Sequence, residues 1–353
     1  MLACKIKKKL GGFSLDVDIT ACSDITALMG ASGSGKSMTL RCIAGISKPD
    51  EGKIVLGGVT LFDSEKGINL PPQKRNTGFL FQDYALFPNM TVLKNIMAGA
   101  KISPRRECRK SAVELAETFH IAKHLNKYPH QLSGGEKQRC ALARILMGSP
   151  DILMLDEPFS ALDSHLRWEL ELELASVMKQ FAGPVLYVSH NRDEVYRLCD
   201  RIVVMNNGRS EVTGQKWEIF KKPLTVGAAR LTGCKNITET AVRHGRLIVP
   251  GWGIEFEFEF DCDGVDSGVQ YIGIRANYII PACRAPEGEI AAAFPFEIIS
   301  EIEDTFSNIL MVRKKGSGLL PLRWEMPKKD RAALRDMPQE LAFLREHVLL
   351  LRE

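Results

Sequence analysis

The sequence predicts an α/β fold followed by a smaller β-rich domain, and three observations support this. The first is a set of strand-length apolar runs at residues 25–29, 151–156 and 184–188, which are typical of parallel strands buried on both faces. The second is the helical spacing of apolar residues between these runs, because strands that alternate with helices indicate an α/β sheet. The third is a change of pattern near residue 230, after which alternating segments such as residues 254–260 indicate half-buried strands.

The elements of the first part follow from apolar spacing and turn residues. Residues 1–60 are predicted to form short strands with turns, interrupted by one glycine-rich loop. A helix is expected at residues 37–44, because Gly45 and then Pro49 are stop signals. The segment from about residue 90 to 150 is predicted to be mostly helical. Its helices are expected at residues 92–96, 112–125 and 136–147.

The chain is long enough for two domains. Its 353 residues are divided by the predicted boundary into a first domain at residues 1–230 and a β-rich second domain at 231–353. Hydrophobic residues make up 45% and charged residues 25%, as in ordinary soluble globular proteins. The balance of 47 basic against 43 acidic residues leaves +4, which does not indicate nucleic acid as a partner. The basic cluster at residues 5–9 is interpreted as a solvated strand edge.

Cysteine usage and the lengths of apolar runs indicate the compartment. The nine cysteines are odd in number and form no CxxC pair, so neither a disulfide framework nor a zinc site is expected, and a reducing cytosol is the natural environment. No stretch approaches the ~18 apolar residues of a membrane-spanning helix, and the N-terminus does not predict a secretory signal. If the protein serves a membrane, we expect it to do so from the cytoplasmic side through other chains.

A glycine-rich loop is the strongest functional signal. Residues 30–37 fit the pattern G-x-x-x-x-G-K-[ST] between a predicted strand and a predicted helix. Glycines let the backbone wrap closely round phosphates, and the helix N-terminus adds partial positive charge. We expect Lys36 to reach the β- and γ-phosphates of ATP and the Ser37 hydroxyl to coordinate Mg²⁺. The predicted nucleotide-binding residues are Gly30, Ala31, Ser32, Gly33, Ser34, Gly35, Lys36 and Ser37.

Two adjacent carboxylates follow the apolar run at residues 152–155. Ligands bind at the carboxyl ends of strands in open α/β sheets, so Asp156 is predicted to hold Mg²⁺, directly or through water. Successive strand residues face opposite ways, and Glu157 is therefore expected to point elsewhere and to polarise the attacking water. The alternative for this Asp-Glu-Pro segment is a helix N-cap.

A second anion site is predicted where Ser133, Gly134 and Gly135 lead into a helix N-terminus. The sequence Leu-Ser-Gly-Gly-Glu-Lys-Gln-Arg at residues 132–139 resembles the signature of the ATP-binding-cassette (ABC) family. The resemblance implies a homodimer, in which the signature of one subunit completes the nucleotide pocket of the other. It also implies a P-loop NTPase cassette with a helical subdomain at about residues 84–150. The alternative for Ser133 is an ordinary helix N-cap.

Three smaller motifs occur along the chain in the same order as in the ABC family. Gln82 resembles the glutamine that touches Mg²⁺ and water and senses the γ-phosphate. Asp163, which ends Ser-Ala-Leu-Asp at residues 160–163, resembles part of the loop that contacts the partner subunit. His190 resembles the histidine that bonds the γ-phosphate and steadies the water. Phe13 is the candidate for the aromatic residue that stacks on adenine in this family.

Three segments indicate the branch of the family. Residues 81–92 resemble the bacterial importer ATPases for sugars, polyamines, iron, sulfate and molybdate, which carry a C-terminal oligonucleotide-binding-like β-domain. Residues 271–275 resemble a strand of that domain, and residues 231–236 resemble its start in the molybdate branch. The resemblance implies the ATP-hydrolysing subunit of an importer, for molybdate or tungstate. The alternatives are importers for the other solutes, a non-transport ABC ATPase of DNA repair or translation, and an oxyanion-binding protein with an inactive cassette.

The resemblance also implies partners. These are integral membrane permease subunits and, indirectly, an extracellular or periplasmic solute-binding protein, which places the chain at the cytoplasmic face of the cell membrane. Residues 82–90 are predicted to form the groove for a short permease helix, with Phe87 either as its anchor or as part of the core. In the second domain the predicted oxyanion donors, which are alternatively ordinary surface residues, are Ser300, Thr305, Ser307 and Lys314.

Overall fold

The chain folds into two compact units, Met1–Lys216 and Trp217–Glu353. Each unit has its own cluster of buried apolar side chains. The division lies before the change of sequence pattern near residue 230, since two short helices belong with the β-rich part. The computed structural model describes residues 1–101, 104–160, 164–243, 246–256, 269–286, 288–334 and 337–353.

The first unit alternates strands with helices, which confirms the predicted α/β class. Its strands are β1 (Leu2–Leu10), β2 (Phe13–Ala21), β3 (Ile25–Gly30), β4 (Glu51–Leu56), β5 (Val59–Asp63), β6 (Ile68–Asn69), β7 (Thr77–Leu80), β8 (Ile152–Asp156), β9 (Val185–Val188), β10 (Arg201–Asn206) and β11 (Arg209–Gln215). Its helices are α1 (Lys36–Ala44), α2 (Val92–Met97), α3 (Arg105–Thr118), α4 (Gly134–Met147), α5 (Ser164–Gln180) and α6 (Arg192–Leu198).

Helices α2, α3 and α4 pack against one another. Thr91 caps α2 by accepting a hydrogen bond from the Lys94 N–H. The helix predicted at residues 112–125 is wrong in its bounds, because α3 begins after Pro104 and ends at Thr118. His120 then adopts a left-handed backbone conformation, φ 51°, which takes the chain out of the helix.

The parallel part of the sheet aligns the loops that carry the predicted site. Among the described residues, the first unit forms an 11-stranded sheet in the order β6-β5-β4-β1-β2-β11-β10-β3-β9-β8-β7. From β10 to β7 each strand is parallel to the next, so their carboxyl ends meet at one edge. The register pairs Leu28 with Val188, Val188 with Asp156, and Leu155 with Leu80. The loops after β3, β9, β8 and β7 therefore begin side by side.

Strand β1 lies inside the sheet rather than at its edge. It pairs with β2 on one side and β4 on the other, so the solvated edge predicted for residues 5–9 is wrong. Successive side chains of the strand point to opposite faces, which explains why lysines alternate with apolar residues: Cys4 and Ile6 are buried, while Lys5 and Lys7 are exposed.

The second unit is β-rich, as predicted. Its elements are α7 (Lys216–Lys221, which starts at the last residue of the first unit), α8 (Val226–Leu231), β12 (Asn236–Glu239), β13 (Ala241–Arg243), β14 (Arg246–Val249), β15 (Ile254–Glu255), β16 (Tyr271–Ile274), β17 (Ile280–Pro281), β18 (Ile290–Glu303), β19 (Ser307–Lys314), β20 (Leu322–Pro327), α9 (Lys328–Ala333), β21 (Glu340–Leu344) and β22 (Leu349–Leu351). The strand predicted at residues 254–260 starts with β15, and residues 257–260 lie outside the described residues.

The strands of the second unit surround an aromatic core. They form sheets in the orders β12-β16-β22, β13-β14-β15 and β17-β21-β18-β19-β20. Trp252, Trp324 and Phe343 are buried in the core between them. No helix in the described part of the chain is both long and apolar enough to cross a membrane.

Candidate nucleotide-binding site

The predicted phosphate loop connects the buried strand β3 to helix α1. Gly30 ends β3, where a Cβ atom would lie 2.3 Å from the Met205 carbonyl oxygen and 2.5 Å from Ser34 Oγ, so a side chain does not fit. Gly35 precedes α1 with φ 99°, a left-handed conformation that glycine adopts readily. The tip of the loop, residues 31–33, is exposed. The loop is therefore an accessible turn at a helix N-terminus, which favours anions.

The Lys36 side chain lies inside this loop. The residue is 6% exposed, and its ammonium donates hydrogen bonds to the carbonyl oxygens of Gly30 and Ala31, at 2.8 Å each. Burial lowers the pKa of Lys36, and the charges of Glu157 and Asp156 oppose that shift. An ammonium held by neutral carbonyls gains from an anionic partner, because charge-assisted hydrogen bonds between two ions are stronger.

Two of the predicted metal-binding side chains are in contact. Ser37 Oγ donates a hydrogen bond to Asp156 Oδ1 at 2.8 Å. Burial and the charge of Glu157 raise the pKa of Asp156, although the hydrogen bond from Ser37 acts in the opposite direction. A hydroxyl and a carboxylate, completed by phosphate oxygens and water, are the ligands that Mg²⁺ takes at nucleotide sites. Ser37 and Asp156 therefore fit Mg²⁺. A different kind of metal site, built from three or more His, Cys, Asp or Glu side chains, is absent from the described residues.

Glu157 leaves strand β8 by a backbone turn. Its φ is 46°, in the left-handed region that non-glycine residues rarely adopt. Its N–H donates to the Val188 carbonyl oxygen at 3.0 Å, and its own carbonyl oxygen accepts a hydrogen bond from the Ser160 hydroxyl at 3.0 Å. Strand alternation was expected to turn Glu157 away from Asp156. That reason is wrong, because β8 ends at Asp156 and Glu157 lies after the strand. Backbone strain of this kind is concentrated at functional sites.

His190 and Gln82 follow the two strands that flank β8. His190 Nδ1 lies 3.3 Å from Glu157 Oε1, and the His190 side chain is 65% exposed. Gln82 comes shortly after the end of β7, as His190 does after β9, and it is exposed. The strand order therefore places Gln82 and His190 on opposite sides of Glu157 at the carboxyl edge of the sheet.

Phe13 borders the phosphate loop from the start of β2. A Cβ atom on Gly35 would lie 3.3 Å from Phe13 Cζ, and Phe13 is half-buried. Adenine stacking by this ring stays a prediction. Asp163, which was predicted to contact the partner subunit, lies outside the described residues.

The signature segment starts helix α4 with a capping box. Ser133 Oγ accepts a hydrogen bond from the Glu136 N–H at 3.3 Å, and Glu136 Oε2 accepts one from the Ser133 N–H at 2.8 Å. The N-cap role of Ser133 is thus confirmed. Ser133 is exposed, Gly134 is half-buried and Gly135 is buried. In the described part of the chain, no hydrogen bond joins these residues to residues 30–37.

Comparisons with known proteins agree with this geometry. The family model described as "ABC transporter" matches residues 14–160. The molybdenum import ATP-binding protein ModC of Aliivibrio fischeri is 40% identical over 332 residues, which cover 90% of this chain and 89% of that protein. The chain belongs to the ABC transporter ATP-binding proteins.

Other relatives of this ABC protein match a smaller part of the chain. The molybdenum import ATP-binding proteins ModC of Paramagnetospirillum magneticum and Rhodospirillum rubrum are 42% and 39% identical over 233 and 223 residues. The matches cover 66% and 63% of this chain but only 63% and 60% of those proteins. A solved dimeric ATP-binding cassette bound to ADP and Pi, in a post-hydrolysis state, is 28% identical with a TM-score of 0.53, covering 61% of this chain and 99% of the other.

The cassette also contains a buried carboxylate that the sequence analysis missed. Glu194 is 2% exposed and lies beneath the loop that carries His190. From the sequence, the spacing Asn191-x-x-Glu194 predicts a capping box, in which Glu194 would reach back to the Asn191 N–H. In the structure Asn191 caps α6 but its N–H is bonded to Ser189 Oγ instead. The capping-box spacing, which was the sequence signal at Glu194, is therefore typical of an exposed glutamate and not of a buried one.

The predicted oxyanion donors of the second unit do not form one site. Ser307 and Lys314 are at opposite ends of β19. Ser307 Oγ donates to a carboxylate oxygen of Glu325 at 3.2 Å, and Lys314 Nζ donates to the Gly253 carbonyl oxygen at 2.7 Å. Ser300 and Thr305 are exposed. The contacts favour the alternative that these are ordinary surface residues of a β-rich unit.

Proposed function

We propose that the chain is the ATP-hydrolysing subunit of an ABC importer for a molybdenum oxyanion. The observation that carries this proposal is the convergence of four loops at the carboxyl edge of the parallel sheet, in a chain similar to molybdenum import proteins over nearly its whole length. These loops hold a buried lysine, a hydroxyl–carboxylate pair, a glutamate, a histidine and a glutamine, and this combination of groups supports a nucleotide-hydrolysing site. Tungstate, which has the same charge and shape as molybdate, is included in the proposed substrate class.

The residues of the site divide the work of hydrolysis. The loop from Gly30 to Gly35 and the ammonium of Lys36 bind the phosphates of ATP. Ser37, Asp156 and Gln82 would hold Mg²⁺, which neutralises phosphate charge when it is bound. Glu157 accepts a proton from the water that attacks the γ-phosphorus, and ADP leaves with the electrons of the broken P–O bond.

His190 acts beside Glu157 in this scheme. In the proposed mechanism the imidazole orients the water and bonds the γ-phosphate, and its 3.3 Å distance from the Glu157 carboxylate supports this role. Phe13 supplies an aromatic face for adenine next to the phosphate loop.

A homodimer completes the site in this proposal. Ser133 and Gly135 lie at the start of α4, where the helix N-terminus favours phosphate, and Ser133 is exposed. The similarity to a dimeric cassette supports the assignment of this helix start to the nucleotide of the partner subunit. We propose that Asp163, which lies outside the described residues, contacts the partner subunit.

The segment after Gln82 is the proposed contact with membrane permease subunits. Phe87 is 46% exposed, which disfavours the alternative that it is core. The Asn95 side chain bonds both backbone groups of Phe87. Asn95 Oδ1 accepts from the Phe87 N–H at 2.9 Å, and Asn95 Nδ2 donates to the Phe87 carbonyl oxygen at 3.1 Å. The Arg144 guanidinium lies 5.3 Å from the ring centroid. An exposed aromatic ring on a rigid loop suits an interface anchor at the cytoplasmic face of the membrane.

An uptake assay tests the function and the solute together. Cells that lack the gene for this chain are grown in limiting molybdate, and their molybdenum content is measured by mass spectrometry. We expect the wild-type chain to restore the molybdenum content, whereas Glu157→Gln does not, because loss of a general base lowers turnover by at least ~10²-fold.

Uptake of the alternative solutes is the control. Normal molybdenum content in the deletion strain, with reduced uptake of sulfate, iron, polyamine or sugar, would contradict the molybdenum assignment but not the importer function. No uptake defect together with a defect in DNA repair or translation would favour the non-transport class. Near-normal ATP hydrolysis by purified Glu157→Gln protein would reject the assignment of the catalytic base.

A further inference from the structure

The buried carboxylate of Glu194 connects three parts of the cassette. Glu194 Oε2 accepts hydrogen bonds from the Tyr187 hydroxyl at 3.1 Å and from the Ser189 hydroxyl at 2.8 Å. Glu194 Oε1 lies 3.5 Å from Arg167 Nε, which supplies the positive charge that a buried carboxylate needs. Arg167 Nη2 also donates to the Phe159 carbonyl oxygen at 2.9 Å, in the segment that follows Glu157.

Of these contacts, only the one between Ser189 and Glu194 involves the loop that carries His190. Ser189 precedes His190, and Ser189 Oγ also accepts a hydrogen bond from the N–H of Asn191, the residue that follows. The Ser189 hydroxyl therefore connects both neighbours of His190 to Glu194. Tyr187 lies within β9 and makes a comparable bond to the same carboxylate oxygen without contacting this loop.

The exposed imidazole of His190 needs such support. Its side chain is 65% exposed, so surrounding atoms do not fix its position by packing. The direction of the ring is then set mainly by the backbone of residues 189–191. A displacement of about 1 Å of a catalytic group is enough to cost up to ~10²-fold in rate.

We propose that Ser189 and Glu194 are positioning residues that hold His190 against Glu157. The inference rests on the proposed function, because it requires His190 to act in ATP hydrolysis. Glu194 is the buried anchor, Arg167 balances its charge, and the Ser189 hydroxyl transmits the position of the anchor to the loop. Substitution of Ser189 is expected to affect kcat more than KM for ATP, since among the described residues no hydrogen bond joins Ser189 or Glu194 to the phosphate loop.

Two variants of the full chain form a matched pair. Ser189→Ala and Tyr187→Phe each remove one buried hydroxyl bonded to Glu194 Oε2. We expect both to lower the melting temperature, but Ser189→Ala alone to reduce kcat, by at least ~10-fold, with KM for ATP unchanged. Ser189→Thr restores a hydroxyl and is expected to recover most of the rate. Equal losses of kcat in Ser189→Ala and Tyr187→Phe would show a purely structural role and overturn the inference.

A double-mutant cycle with His190→Ala separates this inference from the proposed function. If Ser189 acts through His190, then Ser189→Ala lowers kcat little further when His190 is already absent. A full additional loss in that background would reject positioning through His190 and leave the ATPase assignment intact. Wild-type kcat in His190→Ala itself would contradict the proposed role of His190 and, with it, this inference.

Discussion

At the scale of single residues, the buried carboxylate of Asp156 carries a cost in stability at the proposed metal site. Asp156 is 7% exposed, and burial with the nearby Glu157 charge raises its pKa. A folded-state pKa above the unfolded value means that the folded protein loses stability as pH rises through the interval between the two values. The cost is therefore largest at pH values above the folded-state pKa, where the carboxylate is ionised in both states. In the proposed site, Mg²⁺ would supply the missing positive charge when nucleotide binds.

We therefore expect Asp156→Asn to stabilise the nucleotide-free protein at pH 7. The amide oxygen can still accept the hydrogen bond from Ser37, and a gain of about 1 kcal/mol would raise the melting temperature by ~2–4 °C. The same variant is expected to lose most of the additional stabilisation by ATP with Mg²⁺. Glu157→Gln is the control that should keep it. A lower melting temperature for nucleotide-free Asp156→Asn at pH 7, measured by scanning calorimetry, would argue against a destabilising carboxylate.

At the scale of elements, the start of α4 combines a structural and a proposed binding role. The capping box between Ser133 and Glu136 stabilises the helix start, and removal of such a cap costs about 1 kcal/mol. The same N–H groups and helix dipole favour phosphate. A substitution at Ser133 can separate the two roles, because asparagine and aspartate both cap helices but differ in charge.

Ser133→Asn and Ser133→Asp are expected to keep melting temperatures near that of the wild type, because both residues cap helices well. Ser133→Asp places a negative charge where the partner's γ-phosphate is proposed to bind, so we expect it to abolish ATP hydrolysis at a protein concentration where Ser133→Asn retains activity. Hydrolysis by Ser133→Asp at the wild-type rate would leave Ser133 with its capping role alone.

At the scale of the whole molecule, the exposed helix start explains why one chain is expected to be incomplete. Within the described residues, the hydroxyl–carboxylate pair and the lysine belong to loops of one sheet edge, whereas Ser133 is not bonded to them. A second chain can bring its own Ser133 to this edge. ATP binding is then expected to drive association, because each nucleotide would be held by both subunits.

We expect Glu157→Gln protein to double its mass on addition of ATP and Mg²⁺, as measured by light scattering. Slow hydrolysis in this variant keeps ATP bound and so preserves the dimer. Adding Lys36→Ala to Glu157→Gln removes the buried ammonium and is expected to prevent the change of mass. A monomeric mass for Glu157→Gln at saturating ATP would contradict the shared-site proposal.

The local elements and the classes of chemistry follow from the order of the amino acids. The motif at residues 30–37 requires a tight turn before a helix, because Gly33 and Gly35 adopt left-handed conformations that other residues avoid. The apolar run of β8 predicts a doubly buried strand, since only a parallel interior strand hides both faces. Ser133 followed by Glu136 predicts a helix start, and the structure has one. These features depend on neighbours within a few residues.

The meeting of distant side chains depends on contacts that no short segment of the sequence specifies. The register from β3 to β7 sets which loops lie side by side, and that register depends on pairing between segments that are distant in sequence, such as Ile25 with Val185 and Thr77 with Ile152. The left-handed turn at Glu157 is held by Val188, and the inward direction of Glu194 depends on Tyr187, Ser189 and Arg167. Burial turns Glu194 from a capping residue into an anchor, because a carboxylate inside a protein must find hydrogen bonds and a positive charge.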